Sequence, residues 1–339
     1  MLLHHHPRRE AAEPEGLENI PFPSIDSAAP SALLERCPNA RVTSLHALGS
    51  LGPAGEVFVK DERTRMDLGS FKALGAAYVI AHAAKSSDLS DTTFITPSAG
   101  NHGLSVAAGA KVFGAKAVVY LSNTVPESFA QKLRSHSAQV VRAGENYEES
   151  MAAAQRAADA NNWTLLSDTS WSGYVDIPYR LMEGYLVMAA ETVEQMQHAP
   201  THIFLQAGVG GLASAAAAYF RHAWGNEPKI IVVEPESAPA LYNSIKSNKS
   251  VNTPGPVSNM GRLDCKESSL IALKGLARDA DVFALISDEM ASKSMPLLSG
   301  LDLETTPSGG AGLVALLSGY PDIDDSSRVL CILSEESDK

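Results

Sequence analysis

The segment His202-Ile203-Phe204-Leu205 reads as a buried strand. It runs straight into Gln206-Ala207-Gly208-Val209-Gly210-Gly211-Leu212, and an alanine-rich helix follows to Trp224. A strand that turns into a helix through three glycines belongs to few architectures, chiefly parallel sheets with helices on their faces. Glycines let the backbone approach a phosphate closely, and a helix start offers unpaired N–H groups with a partial positive charge. A dinucleotide fingerprint needs Gly-x-Gly-x-x-Gly. Here Gly208-Val209-Gly210 is followed by Ala213 where the third glycine would stand, although Glu234 lies at a plausible distance for a ribose ligand. A cradle for a phosphate monoester suits the segment better, and a ligand-free tight turn is the remaining reading.

The rest of the chain repeats the alternation. Glu56 to Lys60 predicts a strand, Lys72 to Lys85 a helix, Thr93 to Thr96 a strand and Leu104 to Phe113 a helix. Ala117 to Leu121 predicts a strand, Ser128 to Ser135 a helix, Gln139 to Val141 a strand and Tyr147 to Asn161 a helix. Thr164 to Leu166 then reads as a strand and Pro178 to Gln197 as a helix. Lys229 to Val233 is a strand, Gly309 to Ser318 a helix and Val329 to Leu333 a strand. The fold class is α/β, with parallel-rich twisted sheets flanked by helices. No repeat or low-complexity linker interrupts 339 residues, a length that suits two packed domains.

Three further segments carry chemistry. Ser70-Phe71-Lys72 puts a lysine where a loop becomes an apolar helix, a setting in which desolvation favours a neutral, nucleophilic amine. Such an amine can form a Schiff base with an aldehyde cofactor; solvation or stem packing is the plainer reading of a lone lysine. Ser98-Ala99-Gly100-Asn101-His102-Gly103 also sits between a strand and a helix, and its hydroxyl, amide and N–H groups suit a carboxylate. His102 by itself reads as structural. Ser334 ends the last strand, at the edge where α/β crevices hold ligands.

Composition excludes several classes. The formal charge of -12 argues against a nucleic-acid or anionic-membrane surface. No apolar run approaches the roughly 20 residues of a membrane span, and no apolar signal core follows Met1-Leu2-Leu3. Cys37, Cys265 and Cys331 are scattered, which suits reduced thiols in the cytoplasm rather than a disulfide framework or a zinc site. No metal site is expected; His4-His5-His6 is a compositional hint only. Residues 1 to 30, rich in Pro, Glu and Arg, read as a loose arm.

Together, Ser70-Phe71-Lys72, Ser98-Ala99-Gly100-Asn101-His102-Gly103 and Gly208-Val209-Gly210-Gly211-Leu212 resemble the fold-type II pyridoxal-phosphate enzymes, the tryptophan-synthase β-like group, in order and spacing. Within that group Lys60-Asp61-Glu62-Arg63, Asp168-Thr169-Ser170-Trp171-Ser172-Gly173-Tyr174 and Met182-Glu183-Gly184-Tyr185 are similar to the diaminopropionate ammonia-lyases. Serine/threonine dehydratases are next. Met260 to Glu267 is like the loop beside the cofactor in that family, though altered. Ser334-Glu335-Glu336-Ser337-Asp338 resembles its Ser-Thr-Glu-Gly-Asp ending.

The resemblance implies a homodimer with pyridoxal 5'-phosphate as cofactor and a small amino acid as substrate. It implies a large cofactor domain (31–75 and 180–339) and a small domain (76–179) carrying the carboxylate loop. Lys72 would be the Schiff-base lysine and the α-proton base. Asn101, Gly208, Val209, Gly210, Gly211, Leu212 and Ser334 would hold the cofactor. Ser98, Ala99, Gly100, Asn101, His102 and Asp168 would meet the substrate, with Asp168 catalytic near the β-group. Trp171 and Tyr174 would be pocket walls. The implied activity is α,β-elimination from 2,3-diaminopropionate, giving pyruvate and ammonia. One departure bears on stereochemistry. Relatives that accept both enantiomers carry an aspartate as base where this chain has Ala99, so the L form is expected. Dehydration of a β-hydroxy amino acid is the alternative, and a silent cofactor-binding homologue is the reading from another class.

Overall fold

The computed structural model describes residues 1–8 and 12–338. In chain order the elements are β1 (Leu2–His5), α1 (Ala28–Leu34), β2 (Leu45–Leu51), β3 (Ala54–Asp61), α2 (Lys72–Ala84), β4 (Thr93–Thr96), α3 (Asn101–Val112) and β5 (Lys116–Leu121). Then come α4 (Glu127–Ser135), β6 (Gln139–Arg142), α5 (Tyr147–Asn161), β7 (Thr164–Leu165), α6 (Asp176–Gln195), β8 (His202–Gln206) and α7 (Gly211–Trp224). The chain closes with β9 (Lys229–Pro235), α8 (Ala240–Lys246), α9 (Leu270–Asp279), β10 (Val282–Ile286), α10 (Asp288–Ser299), α11 (Ala311–Leu317) and β11 (Arg328–Leu333).

Two sheets result. The larger has the order β1-β10-β9-β8-β11-β3-β2, and the smaller β6-β5-β4-β7. Every pairing is parallel except the two edge pairings, β1 on β10 and β2 on β3. Strands β8, β9 and β10 are buried at nearly every position, so they read as continuous apolar runs, as expected of strands covered on both faces.

Parallel strands all end on the same side, which brings distant motifs together. β3, β8 and β11 are neighbours in the larger sheet, and their C-terminal ends lead to Lys72, Gly208 and Ser334. β4 and β7 are neighbours in the smaller sheet, and their ends lead to Ser98 and Asp168. The ligand crevice of an α/β sheet lies at these ends.

Part of the loose-arm expectation is corrected. Leu2–His5 is hydrogen-bonded to the edge of the large sheet, in register from Leu2 opposite Leu285 to His5 opposite Val282. Leu17 and Ile20 are core residues. The polar composition concealed a few well-placed apolar side chains; residues 9–11 of this stretch lie outside the described residues.

Candidate active site

Lys72 is placed by a strained turn on a buried foundation. Met66 and Asp67 have φ of 53° and 58°, left-handed values that are uncommon for residues with a side chain, and Gly69 follows at 76°. Beneath them Arg65 donates to Glu62 (2.7 Å) and to Glu191 (2.6 Å), and Lys60 donates to Glu191 (2.7 Å). Two cations and two carboxylates thus balance inside the protein, with Thr43 and Gln195 filling the remaining bonds. Breaking one partner of such a network leaves a buried charge uncompensated.

The turn then docks on the last strand: Phe71 N–H donates to the Ser334 carbonyl (3.2 Å), and Glu336 N–H donates to that of Gly69 (2.9 Å). Helix α2 can lie close to α6 because Gly75 and Gly184 face each other. A Cβ on Gly184 would stand 2.6 Å from the Leu74 carbonyl oxygen, and one on Gly75 would stand 2.6 Å from the Tyr185 ring.

Lys72 Nζ donates to Asp168 Oδ2 at 2.5 Å. It also lies 5.1 Å from the Phe71 ring centroid. Burial alone would lower the pKa of Lys72, but the Asp168 carboxylate outweighs it and holds the ammonium well above the ordinary lysine value. Burial would likewise raise Asp168, and the ammonium of Lys72 instead holds it well below the usual carboxylate range. The expectation of a neutral resting amine is therefore corrected: desolvation is real, but an ion pair reverses its sign.

Asp168 sits on a braced loop. The Tyr174 hydroxyl donates to the Leu165 carbonyl (2.7 Å) and accepts from Ser167 N–H (3.0 Å), while its ring stacks on Trp171 at 4.2 Å. These aromatics hold the loop. On its other side Ser170 Oγ accepts from Ile271 N–H at the start of α9 (2.9 Å) and meets Ser269 Oγ (2.7 Å). Ser269 N–H in turn donates to the Val209 carbonyl (3.0 Å), tying the Asp168 loop to the glycine loop.

The glycine loop is tight at Gly208 and Gly210. Gly210 is the N-cap of α7, with φ 96° and no capping side chain. A Cβ there would press on Ala272 Cβ (2.9 Å) and Leu241 Cδ1 (3.0 Å); one on Gly208 would meet Cys265 Sγ (3.0 Å) and the Arg262 carbonyl oxygen (3.1 Å). The uncapped first turn leaves N–H groups for an anion.

The carboxylate loop divides. Ala99 is exposed, and Ser98, Gly100 and Asn101 are partly so. Ser98 Oγ accepts from Gly100 N–H (3.3 Å). His102 is withdrawn: its ring is buried, and Nε2 bonds the Leu166 carbonyl (2.9 Å). Burial lowers its pKa, so the ring is neutral.

Four residues near Lys72 escaped the sequence reading. Cys265 faces the glycine loop, and burial together with Asp168 pushes its thiol up to about 12, so it rests as an inert thiol. Tyr185 is buried with a hydroxyl that has no hydrogen-bond partner among the described residues, pushed up to about 12 by burial. Tyr147 opens α5 with an exposed ring, yet desolvation and the nearby Asp168 raise its phenol. Glu335, which stands where the Ser-Thr-Glu-Gly-Asp ending has threonine, is buried beside Asn101. Cys265, Tyr185 and Glu335 stood in segments already singled out; nothing local marks Tyr147.

A model of the family described as pyridoxal-phosphate dependent enzyme matches residues 37–335. The chain belongs to the pyridoxal-phosphate dependent enzymes. It is 34% identical over 295 residues to diaminopropionate ammonia-lyase of Salmonella typhimurium, covering 78% of this chain and 73% of that one. L-serine dehydratase/L-threonine deaminase of Mus musculus is 28% identical over 284 residues, covering 83% and 80%. The crystal structure of diaminopropionate ammonia-lyase from Escherichia coli in complex with an aminoacrylate–PLP azomethine reaction intermediate superposes with a TM-score of 0.87 at 27% identity. That match covers 99% of this chain and 93% of that one. Fold type II is thereby the architecture of this pyridoxal-phosphate dependent enzyme.

The residues present fit the cofactor. A lysine stands at the crevice, and a Cβ would be crowded at Gly208 and Gly210 of the glycine cradle. Ser334 Oγ makes no hydrogen bond among the described residues, and the buried oxygens Ser70 Oγ, Tyr185 Oη and Gln206 Oε1 lack partners around it.

Proposed function

We propose that this enzyme is an ammonia-lyase that removes the β-amino group of L-2,3-diaminopropionate and yields pyruvate and two ammonia with one water consumed. The observation that carries the reading is the Lys72–Asp168 pair: a carboxylate within 2.5 Å of the amine in a chain related to diaminopropionate ammonia-lyases. A carboxylate there suits a substrate with a second ammonium group.

Bound pyridoxal phosphate would supply an aldehyde for amine exchange and a ring that takes up the electron pair left by a removed α-proton. The N–H groups of Gly208 to Leu212 would hold its phosphate, Asn101 its ring oxygen and Ser334 Oγ its ring nitrogen. Ser98 and its neighbours would bind the substrate carboxylate. Lys72 Nζ must lose the proton it shares with Asp168 before it can act as nucleophile or base. A substrate β-ammonium that takes over the Asp168 carboxylate frees Nζ of its counter-charge, so burial then favours the neutral amine. Lys72 Nζ would remove the α-proton, and Asp168 would hold the β-ammonium as its C–N bond breaks. Ala99 offers no base on the other side, which supports the L series. The proposed lobes, 76–179 and the remainder from 31 onward, would close this crevice between Asp168 and Lys72.

A second reading, dehydration of a β-hydroxy amino acid, is favoured by Ala99 and by the dehydratase relative. Release of ammonia and 2-oxo acid from L- and D-2,3-diaminopropionate, serine, threonine and hydroxyaspartate decides between them. Turnover of L-diaminopropionate above the hydroxy amino acids is expected; turnover of a hydroxy amino acid with diaminopropionate inert overturns the proposal. We also propose a cytoplasmic homodimer, supported by three free cysteines and by the family resemblance. Among the described residues no helix is long and apolar enough to cross a membrane.

A further inference from the structure

Glu335 is a charged side chain in an unusual position. It is only 3% exposed and follows Ser334 at the end of β11. Its Oε2 accepts from Asn101 Nδ2 at 2.5 Å and lies 3.2 Å from Arg262 Nε. Its Oε1 accepts from Thr306 Oγ1, and its carbonyl accepts from Thr305 Oγ1 (2.5 Å). Each partner comes from a different part of the crevice. Asn101 opens α3 beside the smaller sheet, Arg262 lies in the loop whose backbone presses on Gly208, and Thr306 precedes α11. Arg262 is fixed at its other end by Asp338 (2.6 Å). One carboxylate therefore joins the carboxylate-binding loop, the glycine cradle and the end of the last strand.

An amide nitrogen has two N–H groups. With one committed to Glu335, the direction of the other is fixed, and the amide can no longer turn its oxygen toward the crevice. We propose that Glu335 is a positioning residue for the cofactor: it orients Asn101 so that the second N–H of Nδ2 is presented to the cofactor's ring oxygen. This rests on the assignment of Asn101 to the cofactor made above. It gives a role to a departure from the Ser-Thr-Glu-Gly-Asp ending, because a threonine at 335 would be too short to reach both Thr306 and Asn101. Groups that orient a ligand-binding side chain typically contribute 10–100-fold in affinity in metal sites, and the lower end is expected here for a neutral donor.

The test is a double-mutant cycle read by cofactor affinity. Cofactor-free wild type, E335A, N101A and the double variant are titrated with pyridoxal 5'-phosphate, and uptake is followed by tryptophan-fluorescence quenching. E335Q, which keeps an oxygen for Asn101 and an amide for Thr306, is the conservative variant; E335S replaces E335A in the cycle if the alanine variant does not fold. The expected result is an affinity about tenfold weaker for E335A, within about threefold of wild type for E335Q, and no further loss when E335A is added to N101A. A loss that persists undiminished in the N101A background overturns the proposal, as does an E335A affinity equal to wild type or an E335Q as weak as E335A. Normal uptake by wild type and a flat E335A sink this inference alone; a wild type that takes up no cofactor sinks the Asn101 assignment with it.

Discussion

Replacing Asp168 by asparagine should convert Lys72 from a permanently charged group into one that titrates below the ordinary lysine value. Nζ and Oδ2 stand 2.5 Å apart, and both side chains are about one-fifth exposed. Removing one partner of a buried pair costs on the order of 3–5 kcal/mol, because the other charge is left uncompensated. At about 1.36 kcal/mol per pKa unit, that lowers the Lys72 pKa by roughly 2 to 4. Burial persists in the variant and continues to oppose the charge, so the amine should titrate below the ordinary value of 10.5. Competitive acetylation of the cofactor-free protein across pH, quantified on the Lys72 peptide by mass spectrometry, reads the titration directly. Wild-type Lys72 should stay unreactive to above pH 10.5, while Asp168→Asn should become reactive several pH units lower. Superimposable profiles would refute the claim that Asp168 sets the charge of the amine.

Three other outcomes follow from particular residues. Gly210→Ala adds a Cβ at φ 96° against Ala272 and Leu241; it should weaken cofactor uptake at least tenfold and cost about 1–3 kcal/mol in denaturant unfolding. Glu234 is wholly buried, accepts from Leu241 and Tyr242 N–H at 2.7 Å each, and is pushed by burial from 4.5 to about 8. Below pH 4.5 it is neutral folded or unfolded. Between 4.5 and about 8 only the unfolded chain ionises, so wild type should lose about 5 kcal/mol across that window. Urea titrations should show that loss relative to Glu234→Gln, which is less stable at low pH because it misplaces one acceptor but lacks this pH slope. Ala99→Asp should add measurable turnover of D-2,3-diaminopropionate while reducing the L rate by less than tenfold; a variant as inactive on the D form as wild type would remove stereochemical significance from Ala99.

The parallel-rich fold was legible because buried parallel strands are short apolar runs between helices. Thr93–Thr96 and Tyr147–Asn161 fall where the residues place them. Edge elements were less legible. β2 contains Gly49 and two register shifts, so its alternation is broken, and β1 is carried by a few apolar side chains in a polar stretch. Helix α3 begins at Asn101, three residues before Leu104: Gly100 is its extended N-cap, and Asn101, His102 and Gly103 fill the first turn although Asn and Gly are poor helix formers. The glycine loop, the lysine and the Ser98–Gly103 segment were visible as local patterns. The charge state of Lys72 was not, since its partner lies 96 residues away. The same applies to Tyr147 and Glu335, whose neighbours are set by how the two sheets face each other.

The central claim is that Lys72 is the residue that bonds the cofactor. Wild-type protein loaded with pyridoxal 5'-phosphate, reduced with borohydride, digested and sequenced by mass spectrometry tests it most directly. A single phosphopyridoxyl adduct on Lys72, absent from Lys72→Ala, is expected. An adduct confined to another lysine such as Lys266, or no adduct in a protein that takes up the cofactor, would contradict it.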